Sequence, residues 1–145
     1  MNKEQELRLI NLQAGPEVVK MDGIELIALN KWIAYWIMGW FTKSDMPTSY
    51  YYDRKTGQRQ GTIRNFNPSG EISDAMRLIP RLRKLGIVGA FELRLSAIQK
   101  SYQAIMMLES SPGEGRQAFD ENPATAISMA AKSAMSFKTY SRPTQ

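Results

Sequence analysis

The stretch Leu26-Ile27-Ala28-Leu29-Asn30-Lys31-Trp32-Ile33-Ala34-Tyr35-Trp36-Ile37-Met38-Gly39-Trp40 carries the most regular apolar pattern in the chain. Leu26, Leu29, Ile33, Trp36 or Ile37, and Trp40 recur at helical spacing, which predicts a helix over 23–39 with one broad apolar stripe. Gly39 supplies its C-cap, because glycine alone enters the left-handed region freely. Large aromatics at this spacing usually fill a core, so Trp32, Trp36 and Trp40 are expected there. The apolar run is interrupted by Asn30 and Lys31 and falls short of the roughly 20 residues that span a bilayer. It reads as a core helix, with no membrane partner.

Beyond Trp40 the apolar period changes. Residues 43–48 are a loop marked by Met46-Pro47, and Ser49-Tyr50-Tyr51-Tyr52-Asp53 and residues 59–66 then flank a turn-prone centre carrying Gly57. This is a β-hairpin, with Tyr50 and Tyr52 on one face and Tyr51 on the other. Asn67-Pro68-Ser69-Gly70-Glu71 opens a second helix, with Ser69 as N-cap and Glu71 and Asp74 in the first turn. Its buried stripe is Ile72, Ala75, Met76, Ile79 and Leu82. Pro80 predicts a kink or a shortened end, and Gly86 closes it.

Residues 87–95 and 96–108 read as a pair of antiparallel strands, with Phe91, Leu93 and Leu95 alternating against Glu92 and Arg94. Residues 110–121 contain Pro112, Gly113 and Gly115 and read as a mobile loop. Asn122-Pro123 then gives an N-cap and an N1 proline for a helix to about Phe137. The expected class is α+β: one antiparallel sheet flanked by helices on both faces. Residues 1–22 are expected to be an N-terminal arm whose short helix, over 2–13, is ended by Gly15-Pro16, with 23–137 the α-β-α sandwich domain and 138–145 a flexible tail.

At 145 residues this is one domain. The chain has no Cys and no His. Absence of thiols favours a reducing compartment, and the charged N-terminus lacks the apolar region of an export signal. A cytoplasmic location is therefore expected. Zinc and other soft-metal sites lack their ligands, and the acid pairs Glu71/Asp74 and Asp120/Glu121 are explained by helix starts. With His absent only a Ser-Lys or carboxylate scheme would remain for nucleophilic catalysis and no spacing supports one, and the glycines match neither a dinucleotide fingerprint nor a P-loop. The expectation is a protein that binds without transforming, with no cofactor.

The formal charge is +5. It concentrates in two regions, Arg54, Lys55, Arg59 and Arg64 around the hairpin and Arg77, Arg81, Arg83 and Lys84 in the second helix. In the first, arginines interleave with Tyr50, Tyr51, Tyr52 and Phe66. Guanidinium forks suit phosphate oxygens and ring planes suit bases, so this chemistry fits a nucleotide or single-stranded nucleic acid. A solvated hairpin whose rings lean on the core is the plainer alternative.

The motifs Leu29-Asn30-Lys31-Trp32-Ile33-Ala34, Met38-Gly39-Trp40, Phe66-Asn67-Pro68-Ser69, Ile72-Ser73-Asp74-Ala75 and the alanine-rich residues 124–131 together resemble the phage ABA-sandwich domain family over residues 24–137. This chain has Ser128-Met129 where many members carry a Cys-Arg pair. The resemblance implies helices on either side of an antiparallel sheet. Through the related Thoeris anti-defence sponges, it also implies a homo-oligomer that sequesters a cyclic ADP-ribose isomer or cyclic oligonucleotide without cleaving it. On that reading Arg54, Arg59 and Arg64 contact phosphates, and Tyr52, Phe66 and Tyr102 stack on bases. A protein-binding inhibitor of a bacterial defence enzyme, and a nucleic-acid binder, are the alternatives; nucleic acid is the less expected partner.

Overall fold

The computed structural model describes residues 21–111 and 113–141, with side chains to residue 136. The expected N-terminal arm lies outside the described residues, apart from its end at Met21 and Asp22. Helix α1 (Gly23–Ile33) is capped by Asp22, whose carboxylate accepts from the Glu25 N–H at 2.8 Å. It continues into a π-helical turn, Ala34–Met38, which Gly39 ends at φ 76°. Leu29, Ile33, Ala34 and Ile37 form the buried stripe. Of the three tryptophans only Trp40 is buried; Trp36 is 45% exposed and Trp32 half-buried.

Strands β1 (Trp40–Thr42), β2 (Tyr50–Asp53) and β3 (Arg59–Thr62) form a small antiparallel sheet in the order β1-β2-β3. The hairpin and its alternation are as expected: Tyr51 is buried, while Tyr50 is exposed on the opposite face. Strand β1 is an addition, since its three residues are too few to announce a period of two.

The second helix is broken. It starts at Ile72, and α2 (Ile72–Met76) and α3 (Leu78–Lys84) meet at Arg77. Pro80 has no N–H for the Met76 carbonyl and its ring crowds that carbonyl, so the interruption falls just before the proline's own turn. Ser69 is not an N-cap; it lies buried in the preceding loop. Ile72 and Met76 are exposed, leaving Ala75, Leu78, Ile79 and Leu82 as the buried face.

Strands β4 (Val88–Ser96), β5 (Ser101–Leu108) and β6 (Gly115–Asp120) form a second antiparallel sheet in the order β4-β5-β6. Strand β6 occupies the second half of the stretch expected to be a mobile loop. Its inward positions are Ala118 and Asp120, a small and a charged residue, so it lacks the bulky alternation that marks a strand. Helix α4 (Pro123–Ser141) begins at Asn122, whose side chain accepts from Ala124 N–H at 2.9 Å, and extends beyond the expected end at Phe137.

The class is α+β, with the strands divided between two sheets. Helix α4 lies on the face of the larger sheet that buries Ala104, Met106 and Ala118. Ala124, Ala130, Ala131 and Ala134 let it approach closely, and Ile127 is fully buried. Truncating such an isoleucine to alanine typically costs about 2–5 kcal/mol. The opposite face carries Glu92, Arg94, Gln103 and Gln117 together with Ile105, Met107 and Phe119. Its polar side chains pair with one another, Arg94 with Glu92 and Gln103 Nε2 with Gln117 Oε1 at 2.7 Å. Among the described residues no helix is long and apolar enough to cross a membrane.

Candidate functional site

The small sheet has two chemically different faces. Inward, Trp40, Tyr51 and Phe66 form an aromatic cluster, with ring centroids 5.7 Å, 4.9 Å and 6.0 Å apart. Arg77 covers it, 5.4 Å from the Trp40 ring and 5.5 Å from Phe66, and pairs with Asp74 at 3.7 Å. Outward, Phe41 packs on Tyr52 at 5.8 Å, the Lys43 ammonium lies 4.3 Å over Tyr52, and the Arg59 guanidinium lies 4.4 Å over Tyr50. Tyr52 and Arg59, two of the expected contact residues, thus belong to this exposed face.

Arg54 does something else. It lies 4.3 Å over the Tyr35 ring and donates to the Tyr35 carbonyl at 2.8 Å. Arg81 donates to the Ile37 carbonyl at 2.9 Å. A helix end leaves carbonyls without intrahelical partners, and two guanidinium groups here supply donors and favourable charge together. Asp53 closes the hairpin by accepting from the Lys55 and Thr56 N–H groups at 2.8 Å and 2.9 Å. The bonds from Thr56 and Lys55 hold its carboxyl below the usual carboxylate range.

A cavity of about 310 Å³ opens between α1, the β1–β2 loop and the segment after β3. Ile27, Pro47 and Ile63 line it with apolar surface, and Asn30, Lys31, Arg64 and Asn67 with polar groups. Phe66 also borders it. Lys31 pairs with Asp45, another lining residue, at 3.4 Å. Arg64 is exposed and makes no ion pair among the described residues. Asn30 Nδ2 donates to Asn67 Oδ1 at 2.9 Å, and the Asn67 N–H to Asp74 at 2.9 Å. The amide edges are thereby fixed before any ligand arrives.

The six expected contact residues therefore separate. Arg64 and Phe66 meet at the cavity; Tyr52 and Arg59 share the outer face of the small sheet; Arg54 caps a helix end. Tyr102 is on β5 in the other sheet, opposite Leu95 and Asp120 and half-buried against the core. Asn30, Lys31 and Asn67 join the lining without being expected there, although Asn30-Lys31 is visible in the sequence as the polar break in an apolar helix. A second cavity, about 230 Å³, is bordered by Asp120 and Glu121 and suits no anion. Among the described residues no three acids cluster as a metal site.

No protein-family model, no curated protein and no solved structure matches this chain.

Proposed function

We propose that this protein sequesters a nucleotide-type ligand without cleaving it, in the cavity bordered by Arg64. The reading rests on one juxtaposition: an exposed guanidinium, without an ion pair among the described residues, beside fixed Asn30 and Asn67 amides and an apolar wall of Ile27, Pro47 and Ile63. The guanidinium suits phosphate, the amides suit base or ribose edges, and the wall accepts a ring. At about 310 Å³ the cavity is at the small end of ligand pockets, which suits one nucleotide unit per chain.

The resemblance to phage ABA-sandwich proteins supports the biological setting: a phage or prophage anti-defence sponge for a cyclic ADP-ribose isomer or cyclic oligonucleotide in the bacterial cytoplasm. A homo-oligomer would let a cyclic ligand engage more than one chain. The test is recovery. Protein mixed with candidate cyclic nucleotides, desalted and heated should release the ligand unchanged, as read by mass spectrometry. Nothing recovered from any candidate, or a ligand returned hydrolysed, contradicts the proposal.

One observation favours a second reading. The outer face of the small sheet presents Phe41, Tyr50 and Tyr52 with Lys43 and Arg59 already stacked on rings. Unpaired bases stack on such surfaces, so single-stranded nucleic acid is the alternative ligand. Affinity falling steeply with salt, lost in Arg59→Glu and unaffected by Arg64→Ala, would select it.

A further inference from the structure

Strand β4 is nine residues long and lies at the edge of its sheet, with β5 as its one neighbouring strand among the described residues. Its register with β5 shifts only between Val88 and Ala90; from Ala90↔Met107 to Ser96↔Ser101 it is regular. Long, regular edges expose a row of backbone donors and acceptors, and proteins usually blunt them with proline, lysine or a bulge. The regular part of β4 has none of these. Leu95 at its far end is 64% exposed.

The charges on this strand are Glu92 and Arg94, on the same face and two positions apart. Within one chain they pair with each other, Arg94 Nε to Glu92 Oε1 at 2.8 Å and Nη2 to Oε2 at 3.0 Å. Both side chains remain more than half exposed, at 59% for Arg94 and 53% for Glu92.

We infer that β4 pairs antiparallel with β4 of a second copy of this chain, about a twofold axis through Leu93. That register sets each Glu92 opposite the other copy's Arg94, and each Phe91 opposite Leu95, covering the exposed leucine. Directly opposed side chains in a sheet are about 4.5–5.5 Å apart, so the charges meet across the seam. Neighbouring registers fail on charge: an axis through Glu92 opposes two carboxylates, and one through Arg94 opposes two guanidinium groups. The contact is isologous and closes, giving a continuous sheet β6-β5-β4-β4-β5-β6 with both α4 helices on one side. The outer face of the small sheet and the Arg64 cavity play no part in it, so the pairing stands or falls independently of the ligand.

Light scattering coupled to gel filtration tests the pairing through a charge swap in the full-length protein. Wild type is expected to be a dimer, Glu92→Arg and Arg94→Glu each monomeric, and the double variant Glu92→Arg/Arg94→Glu a dimer again. Amide exchange in wild type provides a reading that needs no variant: β4 amides should gain protection as protein concentration rises. A monomer at every concentration, a dimer indifferent to both single changes, or a natively folded double variant that stays monomeric overturns the inference. So does β4 exchange that ignores concentration.

Discussion

Ser128 Oγ donates a hydrogen bond of 2.7 Å to the carbonyl of Pro68, 60 positions earlier, with both residues buried. One turn away, Thr125 Oγ1 donates to the Ser69 carbonyl at 2.6 Å. From the other side Asn30 Oδ1 accepts the Ser69 N–H at 2.9 Å, and Asp74 accepts the Asn67 N–H. Helices α1, α2 and α4 thus clamp the loop before α2 by its backbone. Burying peptide groups without partners is costly, so the clamp holds Phe66 and Asn67 at the cavity rather than merely decorating it.

Ser128→Ala and Thr125→Val should each destabilise the fold by about 1–3 kcal/mol, because each leaves a buried carbonyl without a donor. The two act on adjacent peptides of one loop, so the double variant should lose less than the sum. Urea unfolding of the four proteins measures both the individual losses and the coupling.

Gly39 sits at φ 76°, and a Cβ there would stand 3.3 Å from the Arg81 guanidinium. Gly39→Ala should cost about 1 kcal/mol or more, since alanine resists the left-handed region and crowds the group capping Ile37. Gly39→Asn should be milder, because asparagine tolerates that conformation. Thermal unfolding should rank them wild type, Asn, Ala.

Burial pushes the Tyr51 hydroxyl up from 10.0 to about 12. The folded state then keeps its proton where the unfolded chain loses it, so stability contributed by Tyr51 is intact below pH 10 and falls between about 10 and 12. Among the described residues this hydroxyl meets no hydrogen-bond partner. Tyr51→Phe should therefore fold at least as stably at pH 7 and flatten the alkaline limb, as read by denaturant unfolding at a series of pH values.

Arg54 and Arg64 are expected to separate stability from binding. Arg54→Met removes a donor from the Tyr35 carbonyl and should cost about 0.5–1 kcal/mol while leaving ligand affinity unchanged. Arg64→Met should shift stability by less than about 0.5 kcal/mol. Parallel unfolding and binding measurements on the two variants check this.

Local chemistry made much of the fold legible. Gly39 ends its helix, Asn122-Pro123 starts another, and the turn closed by Asp53 joins two strands, each through contacts a few residues long. Long-range partners were invisible. Ser69 has the chemistry of an N-cap, yet its carbonyl is bound by Thr125, 56 positions away. Strand β6 is defined by pairing with β5 rather than by its own pattern. The same division holds at the site: arginine-rich spacing pointed to Arg64, whereas the carbonyl that engages Arg54 exists only once the π-helical turn forms.

Isothermal titration of the full-length protein with cyclic ADP-ribose and with a cyclic dinucleotide, for wild type and Arg64→Ala, bears most directly on ligand capture at the cavity. Saturable binding of one of them, weakened at least about tenfold by Arg64→Ala, a loss of about 1.4 kcal/mol, is the predicted result. Heat signals absent for both ligands, or an affinity that Arg64→Ala leaves untouched, would contradict it.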